Sequence, residues 1–335
     1  MKRLIASILI LPLLSLLASA CGGGSDSLTI YAGRSQTLVQ PLLEQFSKDT
    51  GISIKVRYGD GTELALGILE EGKNSPADVY YGQDVGALGA LKSEGRLAKL
   101  PDDLLSKVDS GFRSPDGVWV GISGRARVVA YNTQDVNPST LPKSILDYVD
   151  PKWRNQIGIV PRSDGFPEFV SALRLTRGQE FAKNWLTQLK ANNPRVFPNN
   201  ISALTAVANN EIDVAFVNHY YLYRFLAEQG EGFKARNYYF DNGDIGGLFV
   251  LAAAAIVDTS KHKEEAAQKF IEYLLSPAAQ KYFAERTYEY PLVKGAEPAP
   301  GLPPLSALKA PDVDVSELTD LQGTLDLMRE TGILP

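Results

Sequence analysis

The hydrophobic pattern of the chain alternates between a helical period and short apolar runs. Apolar residues first recur at helical spacing, at Leu38, Leu42, Leu43 and Phe46. Nearly continuous apolar runs at 212–217 and 248–257 are typical of strands that are buried on both faces. This alternation predicts an α/β fold with mostly parallel sheets. A length of 335 residues favours two compact lobes over one large sheet.

The same pattern places the individual elements. It predicts strands at 28–31, 52–56, 77–81, 119–122, 128–131, 157–160, 212–217 and 248–257, with 123–127 joining two of them. It predicts helices after Ser35, at 64–71, 85–95, 165–176, 178–190, 202–209 and 220–229, before Leu275, from Pro277 and at 316–331. Asn200 is a plausible N-cap, and Ser276-Pro277 is a typical helix start.

The first residues have the pattern of a secretory signal. A short basic start is followed by an apolar run and then by small residues that end at Cys21, the single cysteine of the chain. This segment resembles a bacterial lipoprotein signal: we expect residues 1–20 to be removed, Cys21 to be lipidated and residues 21–27 to form a flexible tether. An uncleaved anchor or plain secretion are the alternatives. No later apolar run is long enough to span a membrane.

Composition excludes several classes of function. The net charge of −5 and the absence of a long basic run argue against a nucleic-acid partner. One cysteine and two histidines cannot form an internal disulfide, a thiolate zinc site or a histidine-rich metal site. A metal would therefore have to be bound through oxygen, and the 15 tyrosines are a plentiful source of oxygen donors. No common catalytic motif is present, and we expect no enzyme activity.

The most informative segment is Asn218-His219-Tyr220-Tyr221, which follows an apolar strand and opens a helix. Strand ends in α/β sheets are where ligands bind. Two adjacent tyrosines can turn to one point there, because strand alternation no longer applies. A phenol has a pKa near 10 and ionises at neutral pH only beside a strong cation, for which trivalent iron is the obvious candidate. The alternative is that one tyrosine packs and the other closes a pocket.

Two further turns could complete a binding cleft. Gly33-Arg34-Ser35 lies between a strand and a helix and offers backbone N–H groups and a guanidinium to an anion. Arg162-Ser163-Asp164-Gly165 has the same placement after another strand. Ser35 and Ser163 could equally be ordinary N-caps. Either Arg125 or Arg127 could point into the cleft.

Several motifs together resemble the periplasmic ferric-iron-binding proteins of bacterial ABC importers, from about Leu28 to the end of the chain. They are Ile30-Tyr31-x-Gly33, Ser75-Pro76-Ala77-Asp78-Val79-Tyr80-Tyr81, Ser123-Gly124-Arg125-Ala126-Arg127-Val128-Val129-x-Tyr131, Pro151-Lys152-Trp153-x-x-x-Ile157-Gly158-x-Val160-Pro161, Asn218-x-Tyr220-Tyr221 and Glu289-Tyr290-Pro291-Leu292. The resemblance implies a type II periplasmic-binding fold with two lobes, each a mixed sheet flanked by helices, and a ligand cleft between them. We predict an N-terminal lobe of 28–125 plus 249–293 and a C-terminal lobe of 126–248 plus 294–335.

The resemblance also implies a site. Tyr220 and Tyr221 would bind Fe(III) as phenolates, with carbonate, bicarbonate or phosphate as a synergistic anion. Asn200, Asn218 and Arg127 would support the site, and Ser163 and Gly165 would lie on the segment that offers groups to the anion. Arg34 and Ser35, from the turn after the first strand, complete the residues expected around the anion. The chain departs from the pattern of some members. Ser35 stands where they have histidine, and Gln83, followed by Asp84, stands where they have glutamate. Phe166 lies where others carry a third tyrosine. Gln83 or Asp84 remain possible extra ligands.

These expectations add up to a binding protein. We expect a monomer, lipid-anchored through Cys21 on the extracytoplasmic side of the membrane, that passes Fe(III) to the permease and ATPase of an ABC importer. The first alternative is the same fold binding a small organic anion, a polyamine or a thiamine-like solute. The second is an extracytoplasmic enzyme on a similar scaffold.

Overall fold

The computed structural model describes residues 27–83, 85–162, 165–313 and 315–334. The predicted signal peptide, Cys21 and nearly all of the predicted tether lie outside them. The strands are β1 Leu28–Gly33, β2 Ile54–Tyr58, β3 Val79–Gly82, β4 Val120–Asn132, β5 Ile157–Ile159, β6 Arg195–Val196, β7 Val214–Asn218, β8 Ala235–Tyr238, β9 Phe249–Ile256 and β10 Tyr290–Pro291. The α-helices are α1 Gln36–Thr50, α2 Gly61–Glu71, α3 Gly86–Ser93, α4 Asp102–Leu105, α5 Phe166–Arg177, α6 Gln179–Ala191, α7 Asn200–Ala208, α8 Tyr220–Gln229, α9 Gln268–Leu274, α10 Pro277–Tyr282 and α11 Leu321–Glu330.

The strands form a mixed sheet in the order β2-β1-β3-β9-β4-β7-β5-β6, and β8 and β10 also pair with β4. Pairing is parallel around β1 and β5, but every pair that includes β4 or β9 is antiparallel. The mixed sheet implied by the family resemblance is therefore confirmed. The mostly parallel pairing predicted from the apolar runs is wrong, because continuous burial tells how deep a strand lies and not in which direction it runs.

Strand β4 connects the two halves of the sheet. Residues 120–126 pair with β9, whereas residues 127–131 pair with β7. The prediction of two strands joined through 123–127 is wrong, since this polar segment is the middle of one continuous strand. Two of its polar side chains are buried with partners: Ser123 donates to Glu289, and Arg127 donates to Asn218. The chain thus crosses between the lobes in extended form.

Two hydrophobic clusters form the core, and the first also includes residues of α7, β7 and α8, so the clusters do not follow the predicted lobe boundaries. One surrounds β1, β3 and β9 and contains Phe46 and Phe270, and the other lies beside β5 and β7 and contains Trp185 and Phe216. The exact division of the chain between the lobes remains a prediction. The C-terminal helix α11 packs on α5, where Ser171 and Thr324 share a hydrogen bond of 2.7 Å.

Most predicted elements are confirmed with shifts at their ends. Helix α8 has the predicted bounds, and Ser276 caps α10 by accepting from the Ala279 N–H. The last helix is shorter than the predicted 316–331, because Asp320 caps it by accepting from the Gly323 N–H. Among the described residues, no helix is long and apolar enough to cross a membrane.

Candidate functional site

A cavity of about 480 Å³ lies where β1 and β3 end and α8 begins. One side, which we call the arginine wall, consists of Gly33, Arg34, Ser35 and Gln83. The other side, which we call the tyrosine wall, consists of Ile201, Tyr220, Tyr221 and Arg224. Residues 37–38 and 59–61 complete the lining. The structure therefore brings together three of the segments that the sequence suggested: the turn after β1, the end of β3 and the start of α8.

The two tyrosines of the tyrosine wall are held side by side. They occupy the first two positions of α8, directly after β7 and His219, and their rings stack with centroids 4.1 Å apart. Tyr220 is buried, and burial, with the neighbouring Tyr221, raises its pKa well above the usual value of 10. The phenol of Tyr220 is therefore neutral in the absence of a cation, and the paired rings present two oxygen donors to the cavity.

His219 fixes the start of α8 without reaching the cavity. Its Nδ1 accepts from the Ala126 N–H at 3.1 Å, and its Nε2 lies 2.9 Å from the carbonyl oxygen of Tyr288. Burial lowers the pKa of His219 to about 4, so the ring is neutral and Nε2 carries the proton that it donates. This side chain ties the tyrosines to β4 at the crossover and to the segment before Glu289. No sequence pattern indicates that role for His219.

A hydrogen-bonded network supports the tyrosine wall from behind. The buried Asn200 accepts from the backbone N–H of Asn218, whose side chain accepts from Arg127 at 3.0 Å. Gly165 lies against this pair with φ +98°, and a Cβ there would come within 2.8 Å of the Asn218 oxygen. Burial lowers the pKa of Arg127 to about 10. The structure thus places Arg127, Gly165, Asn200 and Asn218 together, beside the tyrosines.

Asn200 has a different local role from the one the sequence suggested. Asn199 is the N-cap of α7, because its side chain accepts from the Ser202 N–H at 2.9 Å. The prediction of Asn200 as the cap is therefore wrong by one residue. Asn200 is instead the first residue inside the helix and is fully buried, and its side chain turns inward to the backbone of Asn218.

The arginine wall is organised around a buried ion pair. Nη2 of Arg34 lies 2.9 and 2.7 Å from the two carboxylate oxygens of Glu289, and both side chains are about 1% exposed. Ser123 donates to the same carboxylate at 2.9 Å. Burial alone would raise the pKa of Glu289, but Arg34 and Arg125 hold it below its usual value. Glu289 belongs to a motif of the resemblance, yet no sequence signal assigned it to Arg34.

The remaining predicted residues divide into two groups. Ser35 and Gln83 line the cavity, and Ser35 is at the N-cap position of α1 without making a side-chain cap bond. Within the described ranges, the Ser35 hydroxyl forms a hydrogen bond only with the Thr37 hydroxyl, at 3.0 Å. Asp84 and Ser163 lie outside the described residues, so their proposed contributions remain predictions.

Arg125 is the least expected feature of this region. It is fully buried, and none of its three guanidinium nitrogens has a hydrogen-bond partner among the described residues. Its charge lowers the pKa of Tyr220 against the larger effect of burial. The nearby hydroxyl of Tyr81 is also buried and has no hydrogen-bond partner within the part of the chain that the structure describes. Burial raises the pKa of Tyr81 to about 12. The sequence named Arg125 only as one of two arginines near the cleft.

The charges of the region are unbalanced. Arg34, Arg125 and Arg127 are all buried, whereas the acids that act on them are the buried Glu289 and the half-buried Glu168, which raises the pKa of Arg127 against the larger effect of burial. No group of three or more His, Cys, Asp or Glu side chains that could hold a metal ion occurs in the described part of the chain. The excess of positive charge therefore favours anionic oxygen donors and a negatively charged ligand.

Comparison with known proteins places the chain in a family. Residues 74–317 match the family model of bacterial extracellular solute-binding proteins. The major ferric iron-binding protein of Neisseria meningitidis serogroup A is 34% identical over 326 residues, covering 95% of this chain and 98% of the relative.

Solved structures agree with this assignment. The structure of iron-bound HitA from Pseudomonas aeruginosa is similar with a TM-score of 0.85 and 39% identity, covering 91% of this chain and 99% of that one. A Trichodesmium protein, IdiA (FutA), in complex with iron and citrate has a TM-score of 0.79 and 31% identity over 91% of this chain and 99% of its own. The chain belongs to the bacterial extracellular solute-binding protein family and has the two-lobed fold of its ferric iron-binding periplasmic members.

Proposed function

We propose that this protein captures Fe(III) between its lobes and delivers it to the permease of an ABC importer. The observation that carries the proposal is the pair of stacked phenols in a cavity that the buried Arg34 also lines, with the buried Arg125 and Arg127 outside the lining. The relatives named as ferric iron-binding proteins support the same cargo. The protein binds and releases its cargo without covalent chemistry.

The phenols select a hard, highly charged cation. Burial raises the pKa of Tyr220 well above 10, so only a strong Lewis acid can displace its proton near neutral pH. Fe(III) does this better than a divalent ion because of its charge. The neighbouring positive charge of Arg125 favours the phenolate over the phenol. Tyr220 and Tyr221 are therefore the proposed metal ligands, and each gives up a proton when iron binds.

An anion completes the proposed coordination. Two phenolates leave most positions of the ion empty, and the amide of Gln83 is a weak neutral donor on the arginine wall. Carbonate, bicarbonate or phosphate would bring negative charge to the guanidinium groups of Arg34 and Arg127. Citrate, which accompanies iron in the Trichodesmium structure, is a larger anion of the same chemical class. Asp84 and Ser163 remain candidates for further contacts.

The proposed cellular setting follows from the start of the chain. Lipidation at Cys21 would hold a monomer on the extracytoplasmic face of the membrane by the short tether, next to the permease. Closure of the two lobes around the cargo would be the signal that the permease reads, since only the closed form joins both walls to one ion.

The proposal is tested by the colour of the iron complex. Titration of metal-free protein with Fe(III) and bicarbonate should produce the visible charge-transfer band of iron phenolates. Tyr220→Phe and Tyr221→Phe should each weaken the band, and the double variant should lose it. We expect the double variant to lose more affinity than the roughly 10–100-fold typical of residues behind the ligands.

Tyr223→Phe on the same helix is the matched control. Its hydroxyl contacts Tyr239 and the Gly301 carbonyl on the far side of α8, away from the cavity. Its band should equal that of the unchanged protein. A double variant that keeps both colour and affinity would show that the tyrosines are not the ligands.

A small organic anion is the second candidate cargo. Arg125, whose guanidinium has no hydrogen-bond partner within the described ranges, and the buried Arg34 and Arg127 favour it, and they count against a cationic polyamine or thiamine-like solute. Titration calorimetry of metal-free protein with citrate, phosphate and bicarbonate distinguishes the candidates. Tight binding without iron supports the organic anion, and binding only with iron supports Fe(III).

A further inference from the structure

A second cavity of about 470 Å³ lies at the opposite edge of the sheet from the binding site. Strand β1 runs from this edge to the arginine wall, because Thr29 lines the second cavity and Gly33 lines the first. The edge is formed by the beginnings of β1, β2 and β3 and by the segment after β9. Its lining residues are Ser27, Thr29, Lys55, Lys73, Asn74, Ser75, Pro76, Asp78, Thr259, Lys261 and His262.

Positive charge dominates this cavity in an otherwise acidic protein. Lys55, Lys73 and Lys261 are exposed, and none of their ammonium groups has an ion pair or hydrogen bond with another described residue. The acid of the lining is Asp78, which is buried. One of its oxygens accepts from the Thr29 N–H at 2.8 Å and the other from the Ser260 hydroxyl at 2.7 Å. The three ammonium groups therefore remain available to an anionic partner.

The short segment between Cys21 and the folded chain limits how far this cavity can lie from a membrane to which Cys21 is anchored. Ser27 lines it, and Ser27 is six residues beyond Cys21, the proposed lipid attachment point. Six residues span at most about 22 Å even when fully extended. A lipid at Cys21 would consequently keep the lysines near the membrane surface, where anionic headgroups attract basic side chains over about one Debye length.

We propose that this basic face, defined by Lys55, Lys73 and Lys261, docks on the anionic phospholipid surface to which the protein is anchored. The inference rests on the lipid anchor of the proposed function but not on the identity of the cargo. Docking turns the binding cavity away from the bilayer, since the two cavities lie at opposite ends of β1. The docked protein collects its cargo from the solvent, and it leaves the surface to present the cleft to the permease.

Lysine footprinting of the full, membrane-extracted chain tests the proposal. The protein is incorporated into vesicles of phosphatidylcholine, with or without phosphatidylglycerol, and flotation confirms incorporation. Acylation rates of single lysines are then measured by mass spectrometry. We expect Lys55, Lys73 and Lys261 to react about threefold or more slowly on the anionic vesicles, and high salt to remove the difference. The exposed Lys143, Lys234 and Lys309 should react equally on both.

A charge-removing variant and its control complete the experiment. Lys48, which lies in the last turn of α1 before β2, serves as the reporter, and we expect anionic vesicles to slow its acylation in the unchanged protein. In the triple variant Lys55→Gln/Lys73→Gln/Lys261→Gln, we expect Lys48 to lose this protection. Lys143→Gln/Lys234→Gln/Lys309→Gln should retain that protection. Both variants should keep the iron charge-transfer band, which separates this test from that of the cargo.

Three results would overturn the proposal. The first is equal acylation of the three lysines on neutral and anionic vesicles. The second is protection by inorganic phosphate on neutral vesicles to the same extent, which would assign the cavity to a free anion. The third is failure of the chain to float with vesicles of either composition, which would remove the anchor.

Discussion

The two walls of the binding cavity are built in different ways. The tyrosine wall carries the oxygen donors, and a network of uncharged and charged hydrogen bonds through Asn200, Asn218 and Arg127 fixes it from behind. The arginine wall carries a guanidinium that is already engaged by Glu289, together with backbone and small side chains at the end of β1. In the proposed function the first wall supplies the metal ligands, and the second supplies positive charge held in place by an ion pair.

This difference assigns separate tasks to the walls. Affinity for the ion should come mainly from the tyrosine wall, which lies entirely within the predicted C-terminal lobe. The arginine wall should contribute through charge and through closure, because the Arg34–Glu289 pair anchors the turn after β1 to the segment before β10. Substitutions on the arginine wall should therefore change stability and closure more than the ligand set.

Glu289→Gln should have the largest effect on folding. Removing one partner of a buried ion pair leaves an uncompensated charge, here on Arg34, and such changes cost about 3–5 kcal/mol of unfolding free energy. The midpoint of denaturant unfolding measures it. Glu285→Gln, an exposed acid just upstream, is the control and should change little.

The same variant has a pH signature. The folded pKa of Glu289 is below its usual 4.5, so the ionised carboxylate contributes stability above about pH 4.5 that is lost as the pH falls through the folded pKa. In Glu289→Gln, the unfolding free energy should therefore depend less steeply on pH in that acidic range. An unchanged slope would mean that the pair with Arg34 does not stabilise the arginine wall.

Arg125→Met should separate stability from binding. The guanidinium is fully buried and has no hydrogen-bond partner among the described residues, so the cost of burying it should exceed its attraction to Glu289. Replacing it with an apolar side chain of similar length should therefore raise the unfolding free energy by about 1–3 kcal/mol. Iron affinity should fall by about 10–100-fold, because Tyr220 loses the charge that favours its phenolate.

Thermal unfolding of Arg125→Met measures the expected rise in stability, and iron titration independently measures the expected fall in affinity. The exposed Arg286→Met should alter neither quantity. A destabilised Arg125→Met would contradict the assignment of Arg125 as a charge held for the ligand, and would make it a structural residue of β4.

The sequence predicted the fold through its local patterns. Apolar period and turn residues located α8, β9 and the Ser276 cap, because these depend on neighbours within a few residues. They failed at β4, where the polar run 123–127 suggested a connection. Within that run, Ser123 and Arg127 are buried with hydrogen-bond partners, Glu289 and Asn218, that lie far away in sequence. No pattern within the segment carries this information.

The candidate site shows the same limit. Tyr220, Tyr221, Arg34 and Ser35 were predicted from their position between a strand and a helix, and the structure gathers them around one cavity. The roles of Glu289, His219 and Arg125 arise only from tertiary contacts. The Glu289 motif was visible in the sequence, but its partner is 255 residues away.

Ser35→Ala should have the smallest effect, and it is the direct test of whether the arginine wall contains a metal ligand. The Ser35 side chain is exposed, makes no cap bond and contacts only Thr37 among its identified hydrogen bonds. Stability should change by less than about 0.5 kcal/mol, and iron affinity by less than about threefold. Ser35→His is the matched gain of function, because it would give this wall an imidazole beside the cavity and should raise the affinity. If Ser35→Ala instead lost affinity as strongly as a tyrosine variant, iron would be bound from both lobes, and the division of tasks between the walls would be wrong.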